Sequence, residues 1–185
     1  MPAYESNADR WYQERARRFL NNRQVPSALG YQYLNNPPMY WADWSMCEWG
    51  TTGGRQVKGL AEYKRRLISS DASFLEDSGL MIPAKKFMSA KLMSRTHDIT
   101  FQYFVELNDG FFMYEELDFP NKGLVIPPSK VVNRRDDPND QNLVVMLDWD
   151  HFHKVADVLE LEAYAPIKER KTQNEQDRSE VCGAS

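Results

Sequence analysis

Hydrophobic and polar positions along the chain follow two periods, which predict a mixture of helices and strands. A period near 3.6 residues predicts helices over residues 8–22, 83–95 and 153–164. In the first of these, Trp11, Arg15 and Phe19 recur at helical spacing. Its arginines are expected to form a helix surface, namely Arg15, Arg17 and Arg18. A proline opens the second helix, whose apolar side is expected to comprise Phe87, Ala90, Leu92 and its methionines.

The strand period of two predicts a sheet, and its clearest element is a hairpin. Strand-like runs fill residues 99–117 on both sides of Asn108-Asp109-Gly110, a strong hairpin turn. The aromatic stretch 39–49 suits another strand, with a glycine turn after it at Thr51–Gly54. Further along, the pattern predicts a buried strand over 142–149 and loops over 69–81 and 120–142.

One stretch, KGLAEYKRRL from Lys58 to Leu67, fits either a helix or a strand. Its residues are good helix formers, yet its place after a strand and a glycine turn favours the second arm of a hairpin. In a strand, Leu60, Glu62 and Lys64 would share one face, because side chains alternate with a period of two. In a helix, Glu62 and Lys64 would point apart, since residues two apart do not face each other.

The order of these elements is helix, strands, helix, strands. It predicts an α/β (α+β) layer fold, with a central mixed β-sheet flanked by helices. The chain has 185 residues, of which 42% are hydrophobic and 12% aromatic, so it can bury one core. We expect one domain over residues 1–165 and a polar, solvated tail over residues 166–185.

Composition narrows the class of protein. No apolar run approaches the roughly 20 residues needed to cross a bilayer, so no membrane partner is expected. Cys47 and Cys182 lie far apart and form no disulfide framework, which fits a reducing cytoplasm. The net charge of −4 counts against nucleic-acid binding. Local charge matters more than the sum, however, because phosphate contacts come from one face.

Three residues offer the chemistry that phosphodiester hydrolysis needs. The reaction uses a divalent ion held by one or two carboxylates, and a lysine that stabilises developing charge or orients the attacking water. A hairpin supplies this set when one acid lies on its first strand and an acid and a lysine lie two apart on its second. Asp43, Glu62 and Lys64 match that arrangement. Taken alone, E-x-K is more often a surface ion pair.

The surroundings of this triplet resemble the PD-(D/E)XK nuclease superfamily, in particular its small phage-encoded members. The resemblance runs from about residue 9 to residue 155, and the order and spacing of its pieces carry it. The pieces are an opening helix, a strand with the first acid, the E-x-K strand, the helix behind it, two further strands and an arginine–aspartate loop before a closing strand. In sequence they read ADRWYQERARRFL, YWADWSMCEW, AEYKRRL, IPAKKFMSAKLM, ITFQYFVELNDGFFMYEEL and NRRDDPNDQNLVVMLDWDHF.

The resemblance implies a metal site and a catalytic lysine. Asp43 and Glu62 would bind the metal, Mg²⁺ or Mn²⁺, and the Tyr63 carbonyl would add a ligand. Lys64 would be the catalytic lysine. Some family members place another acid in the opening helix, which is the element that holds Glu14 here.

The resemblance also implies positive residues that contact the substrate. Lys86, on the helix after the E-x-K strand, would approach the substrate phosphate. Arg134 and Arg135 would contact phosphate or form a clamp with the next aspartate, a solvated loop being the alternative. The family's proline is Ala42 here. That position shapes the backbone and carries no chemistry.

The function implied is that of a metal-dependent endo- or exonuclease, with DNA as its partner, in phage genome processing, recombination or host-DNA breakdown in the host cytoplasm. The alternative is a catalytically inactive phage structural or interaction protein that retains the fold, associated with its own copies or other phage proteins and with the virion. The acid–acid–lysine set favours the enzyme. The net negative charge and the lack of a strong basic stripe favour the alternative.

His151 and His153 form an H-x-H pair that suits a metal, but no third ligand accompanies it in the sequence. We therefore expect two exposed loop histidines. The remaining candidate acids are expected to be surface and loop charges, namely Glu115, Glu116, Asp148 and Asp150.

Overall fold

The structure is a computed structural model, and it describes residues 7–22, 31–37, 40, 42–49, 54–72, 75, 79–116, 132–133, 141–142 and 144–166. The described helices are α1 (Asn7–Asn22), α2 (Ala84–His97) and α3 (Val158–Glu162), with a 3₁₀ turn at Trp149–His151. The described strands are β1 (Gln32–Asn35), β2 (Trp44–Trp49), β3 (Arg55–Arg65), β4 (Leu80–Pro83), β5 (Thr100–Glu106), β6 (Phe111–Glu116), β7 (Val132–Asn133), β8 (Gln141–Asn142), β9 (Val144–Leu147) and β10 (Phe152–Ala156). None of the described helices is long and apolar enough to span a bilayer.

Six of the described strands form one mixed sheet, in the order β1-β2-β3-β5-β6-β10. Strand β3 lies inside this sheet, antiparallel to β2 and parallel to β5. A parallel pair needs a long crossover, and the segment that contains β4 and α2 provides it. The expected α/β layer fold with a mixed sheet and flanking helices is therefore confirmed.

The sheet separates two hydrophobic clusters, and alternate residues of β3 enter different ones. Leu60 packs in the cluster that contains residues of α2, β4 and β9. Ala61 and Tyr63 pack in the cluster that contains residues of α1 and α3. Because side chains alternate along a strand, Glu62 and Lys64 lie on the same face as Leu60.

The strand alternative for the KGLAEYKRRL stretch is correct as far as Arg65, where β3 ends. Pairing along both edges of β3 outweighs the helix propensity of its residues. The hairpin around residues 108–110 is also confirmed, since β5 and β6 pair antiparallel there. The turn predicted before β3 lies outside the described residues except for Gly54.

Several predicted boundaries are wrong. The predicted final helix begins instead as strand β10, which pairs with β6, and only Val158–Glu162 is helical. The predicted loop over 69–81 ends in β4, because Leu80 and Met81 pair with β9. The loop predicted over 120–142 contains β7 and β8, which pair with each other, and its other residues lie outside the described part. So does the tail from residue 167 onward.

On α2, the predicted apolar side is only half correct. Phe87 and Ala90 are buried against the sheet, whereas Leu92 and Met88 are exposed. The helix packs through one narrow stripe, so residues that fall outside that stripe face solvent although they are hydrophobic.

Candidate active site

Asp43 lies directly before β2, not within it as predicted, and it reaches across to β3. The pairing of β2 with β3 ends at Trp44 opposite Ala61. Two residues further along β3, the backbone N–H of Tyr63 donates to Asp43 Oδ2 at 2.8 Å. The Asp43 side chain thus takes the place of a strand partner, and this fixes the carboxylate beside the C-terminal end of β3.

Lys64 and Lys86 converge on one oxygen of Glu62. Lys64 Nζ lies 2.8 Å from Glu62 Oε1. Lys86, in the first turn of α2, donates to the same oxygen. The Glu62 side chain is 0% exposed, whereas the two lysine side chains are 28% and 27% exposed. Glu62 and Lys64 therefore share one face, as expected for a strand, and α2 brings Lys86 to them.

The second oxygen of the Glu62 carboxylate, Oε2, is buried and has no hydrogen-bond partner among the described residues. A buried acceptor without a donor costs the free energy of its lost hydration. Buried polar atoms are nearly always paired with protein or water. Glu62 Oε2 is therefore free, among the described residues, to accept a bond from a water or a ligand.

Electrostatics at Glu62 oppose its ionisation. Burial raises the pKa of Glu62 above its ordinary value; Lys64 and Lys86 act against that rise, and the charge of Asp43 adds to it. Burial also acts against the charged form of Lys64, but Glu62 and Asp43 outweigh it and raise the pKa of Lys64. Lys64 therefore stays an ammonium at neutral pH.

The Tyr63 carbonyl points to the same edge of β3 as Asp43. In an antiparallel pair, a hydrogen-bonded residue exchanges both its N–H and its C=O with one neighbouring strand, so both groups face the same edge. The Tyr63 N–H faces Asp43. Its carbonyl therefore faces the region beyond the end of β2, where the pairing with β2 has stopped.

These groups fit a hard divalent ion. Mg²⁺ binds to proteins through one or two carboxylates and keeps several waters, and carboxylate, carbonyl and water oxygens also suit Mn²⁺. The unpaired Glu62 Oε2, the Asp43 carboxylate and the Tyr63 carbonyl offer such oxygens on adjacent positions. Among the described residues, no group of three or more His, Cys, Asp or Glu side chains gathers as a metal site. The candidate donors are therefore limited to the two carboxylates and the backbone carbonyl.

Glu14 faces the same cleft as Asp43 and Lys86. Its carboxylate accepts hydrogen bonds from Arg17 at 2.7 and 2.9 Å and from Arg18 at 3.0 Å. Burial acts against the ionised form, but the bonds from Arg17 and Arg18 outweigh it and lower the pKa of Glu14. Glu14 is therefore near the candidate site as a carboxylate whose charge two guanidinium groups balance.

Behind the site, on the other face of β3, lies a buried ion cluster that the sequence analysis missed. Glu106 Oε1 receives Arg15 at 2.7 Å and Arg65 at 3.0 Å. Glu106 Oε2 accepts a hydrogen bond from the Tyr63 hydroxyl at 2.8 Å. Arg15 also bonds Glu162. Because Glu106 holds the Tyr63 hydroxyl, this cluster anchors Tyr63, the residue between Glu62 and Lys64.

The prediction that Arg15 lies on a helix surface is wrong, because Arg15 is fully buried. The burial of Arg15 could have been predicted from its position in the sequence. Trp11 and Phe19 lie four residues before and after it and place it on the apolar face of α1. Arg18 is exposed as expected, and Arg17 is half-buried.

The other candidates do not join the site. His151 lies in the 3₁₀ turn, exposed, 4.0 Å from Asp148 Oδ2. His153 is exposed as expected but lies on strand β10 and not in a loop. Arg134 and Arg135 lie outside the described residues.

A sequence model of the family described as "Phage putative PDDEXK endonuclease" matches residues 1–155 of the chain. This match covers most of the chain, so the chain belongs to that family. No curated protein matches the chain, and no solved structure does.

Proposed function

We propose that this member of the phage PDDEXK endonuclease family is a metal-dependent nuclease that hydrolyses phosphodiester bonds in DNA. One observation carries the proposal. Buried Glu62 keeps one oxygen without a partner among the described residues while two lysines hold the other. If Glu62 served only to bind the lysines, the burial of its unpaired second oxygen would cost stability without any gain.

Asp43, Glu62 and the Tyr63 carbonyl would hold Mg²⁺ or Mn²⁺. When bound, the ion would polarise the scissile phosphate and lower the pKa of a coordinated water. Glu62 supplies a fully buried oxygen, whereas Asp43 lines the cleft and is reached from solvent. Glu14, which lines the same cleft, is a further acid that would influence the site.

The lysines have separate roles in this proposal. Lys64 would stabilise the charge that develops in the transition state or orient the attacking water. Its neighbours Glu62 and Asp43 raise its pKa and keep it charged for that role. Lys86 would contact the substrate phosphate, since its side chain lines the cleft beside Asp43.

DNA as the substrate and the metal are parts of this proposal that go beyond the family description, which itself names an endonuclease. Arg134 and Arg135 stay proposed phosphate contacts. We place the activity in the cytoplasm of the phage's host, the compartment that holds the DNA.

The second candidate is a catalytically inactive member that retains the fold. The pairing of both Lys64 and Lys86 with Glu62 favours it, because a cluster of one acid and two lysines also stabilises a fold. The nuclease candidate predicts that cleavage is lost when Glu62 loses its charge, whereas the inactive candidate predicts no cleavage to lose.

The test uses supercoiled plasmid, linear duplex, single-stranded DNA and RNA, each with Mg²⁺, with Mn²⁺ or with EDTA. We expect the wild type to cut at least one substrate with metal and none with EDTA. Glu62→Gln should lose both cleavage and the rise in melting temperature that Mn²⁺ gives the wild type. Glu48→Gln, an exposed acid on β2, is the matched control and should behave as the wild type.

Two outcomes would contradict the proposal. A folded wild type that is inactive on every substrate would support the catalytically inactive alternative. Equal cleavage by wild type and Glu62→Gln indicates a contaminating nuclease and removes the case for this site.

A further inference from the structure

A cleft of about 500 Å³ opens beside Asp43 and Lys86. One wall comes from the exposed and half-buried side of α1, with Arg10, Gln13 and Glu14. The other wall comes from the end of β1 and the connection to β2, and it includes Asn35, Asn36 and Tyr40. The cleft thus adjoins two of the residues proposed for cleavage and extends away from them between these two walls.

Hydrogen bonds join the ends of the wall that leads from β1 to β2. The Asn36 backbone N–H donates to the Asp43 carbonyl at 2.9 Å. The Asn36 side-chain amide donates to the Ala42 carbonyl at 3.1 Å and accepts from the Ser45 hydroxyl at 2.6 Å. These bonds hold Asn36 against residues 42–45, so the part of the cleft next to Asp43 does not depend on a ligand for its shape.

The two walls are also joined to each other at one end. Arg17 of α1 donates to the Tyr33 carbonyl of β1 at 3.1 Å. The cleft is therefore closed on the side where α1 meets β1.

Tyr40 is the aromatic side chain of this cleft. Its backbone N–H donates to the Pro37 carbonyl at 2.8 Å. Its side chain is 43% exposed, whereas most of the other aromatic side chains that the structure describes are buried or half-buried. A partly exposed aromatic ring in a cleft that also carries arginine, lysine and amide groups is a platform for a flat polar ring.

We propose that this cleft binds one unpaired nucleotide next to the scissile phosphate, with its base stacked on Tyr40. The substrate is then a single strand, or a duplex opened at the position of the cut. This inference rests on the proposed function, because it places the phosphate of that nucleotide at Asp43 and Lys86.

Size and charge support this assignment. Cavities of about 300–1,000 Å³ enclose one drug-sized ligand, so this cleft takes one nucleotide and not a base pair with its two backbones. Arg10 and Lys86 supply positive charge for phosphate, and the charge of Glu14 is balanced by Arg17 and Arg18. Gln13 and Asn35 line the cleft with amide groups that can hydrogen-bond a base.

The test measures binding in the Lys64→Ala background with Mg²⁺, so that the proposed metal ligands stay intact and the substrate is cut only slowly. The probes are one oligonucleotide as a single strand, as a perfect duplex and as a duplex with one central mismatch. We expect the single strand and the mismatched duplex to bind more tightly than the perfect duplex. Tyr40→Ala should weaken single-strand binding by about 5- to 150-fold, the range for one stacked base.

Two matched variants show whether stacking on the Tyr40 ring accounts for single-strand binding. Tyr40→Phe keeps the ring and should stay within about twofold of the parent, whereas Tyr40→Leu keeps apolar volume without a ring and should behave as Tyr40→Ala. Leu159→Ala removes an exposed apolar side chain from α3 and should have no effect. An abasic site moved along the oligonucleotide should weaken the parent at one position, and Tyr40→Ala should abolish that sensitivity.

Equal binding of single strand and perfect duplex, or a Tyr40→Ala variant that binds as the parent does, overturns the nucleotide site. Active wild type with either result leaves the nuclease proposal standing. A wild type that cuts nothing, but binds single strands in a Tyr40-dependent manner, overturns the nuclease proposal and keeps the nucleotide site.

Discussion

The backbone N–H of Tyr63 donates to the carboxylate of Asp43 at 2.8 Å, at the point where β2 no longer pairs with β3. Twenty residues separate the two along the chain. A side chain here replaces a strand in satisfying the backbone of β3. The same replacement sets the distance of Asp43 from Glu62, so the architecture of the sheet edge determines the geometry of the candidate metal site.

Lys64→Ala should reduce the rate of cleavage by about 10²–10³-fold, the usual loss when one group that stabilises the transition state is removed. Stability should change by less than about 1 kcal/mol, because Lys64 is partly exposed and Lys86 still contacts Glu62. Mn²⁺ should still raise the melting temperature, since the acids remain. The checks are kcat on the best substrate and melting curves with and without Mn²⁺.

The control for Lys64 is Lys58→Ala on the same strand, whose ammonium lies 3.8 Å from Glu48 on the exposed part of the hairpin. It should cut at the wild-type rate. Loss of stability and activity in parallel for Lys64→Ala would identify Lys64 as a structural ion-pair partner of Glu62 and not as a catalytic residue.

The raised pKa of Glu62 predicts how the stability of the metal-free protein depends on pH. Folded Glu62 binds its proton more tightly than the unfolded chain does. Above the ordinary glutamate pKa of about 4.3, the folded state therefore holds more protons, and the contribution of Glu62 to the free energy of unfolding falls as pH rises through that window. Glu62→Gln lacks this contribution.

With EDTA present, Glu62→Gln should therefore be more stable than the wild type at pH 8, and the difference should shrink as pH falls toward 4. Urea unfolding at several pH values measures it. A variant that is less stable than the wild type at pH 8 would show that the two lysines stabilise the ionised carboxylate more than burial opposes it.

Arg15→Met should destabilise the fold by about 3–5 kcal/mol, the usual cost of removing one partner from a buried ion pair. The reason is that Glu106 and Tyr63 stay buried behind the site after the guanidinium is gone. Thermal or urea unfolding measures the change. On the same helix, Arg18→Ala removes an exposed guanidinium that pairs with Glu14, and it should cost no more than about 1 kcal/mol. Similar costs for both variants would contradict the buried cluster.

Local signals predicted the central part of the fold. The hairpin around Asn108-Asp109-Gly110 follows from turn residues between two apolar runs, and the structure has it. Strand β3 could be inferred only from its position after another strand and a glycine turn, because its residues also suit a helix. The shared face of Glu62 and Lys64 then follows from the strand period alone.

Contacts between distant segments could not be predicted in this way. Glu106 pairs with Arg15 across 91 residues, and nothing near either residue in the sequence specifies the other. The sequence pattern predicted a helix from residue 153, but Phe152–Ala156 form strand β10 because they pair with β6. The contact of Lys86 with Glu62 likewise depends on how α2 packs on the sheet.

Gly59 is the position in β3 where a side chain would disturb the sheet beneath the site. A Cβ atom there would lie 2.6 Å from the Thr100 carbonyl oxygen and 2.9 Å from the Met46 sulfur. Gly59 pairs with Thr100 in the parallel register of β3 and β5, three residues before Glu62. Because the carbonyl belongs to the backbone, relief of this contact requires β5 to move away from β3.

Gly59→Ala should therefore destabilise the protein by about 1–3 kcal/mol, as overpacking of a core usually does. It should also weaken Mn²⁺ binding, because the strand that carries Glu62 shifts with the pairing. Gly54→Ala, just before the same strand, is the matched control, since a Cβ there meets no atom within 4 Å. Its stability should stay within about 0.5 kcal/mol of the wild type. If melting curves and Mn²⁺ titrations of the two alanine variants coincide, the close packing of β3 against β5 at residue 59 does not support the site.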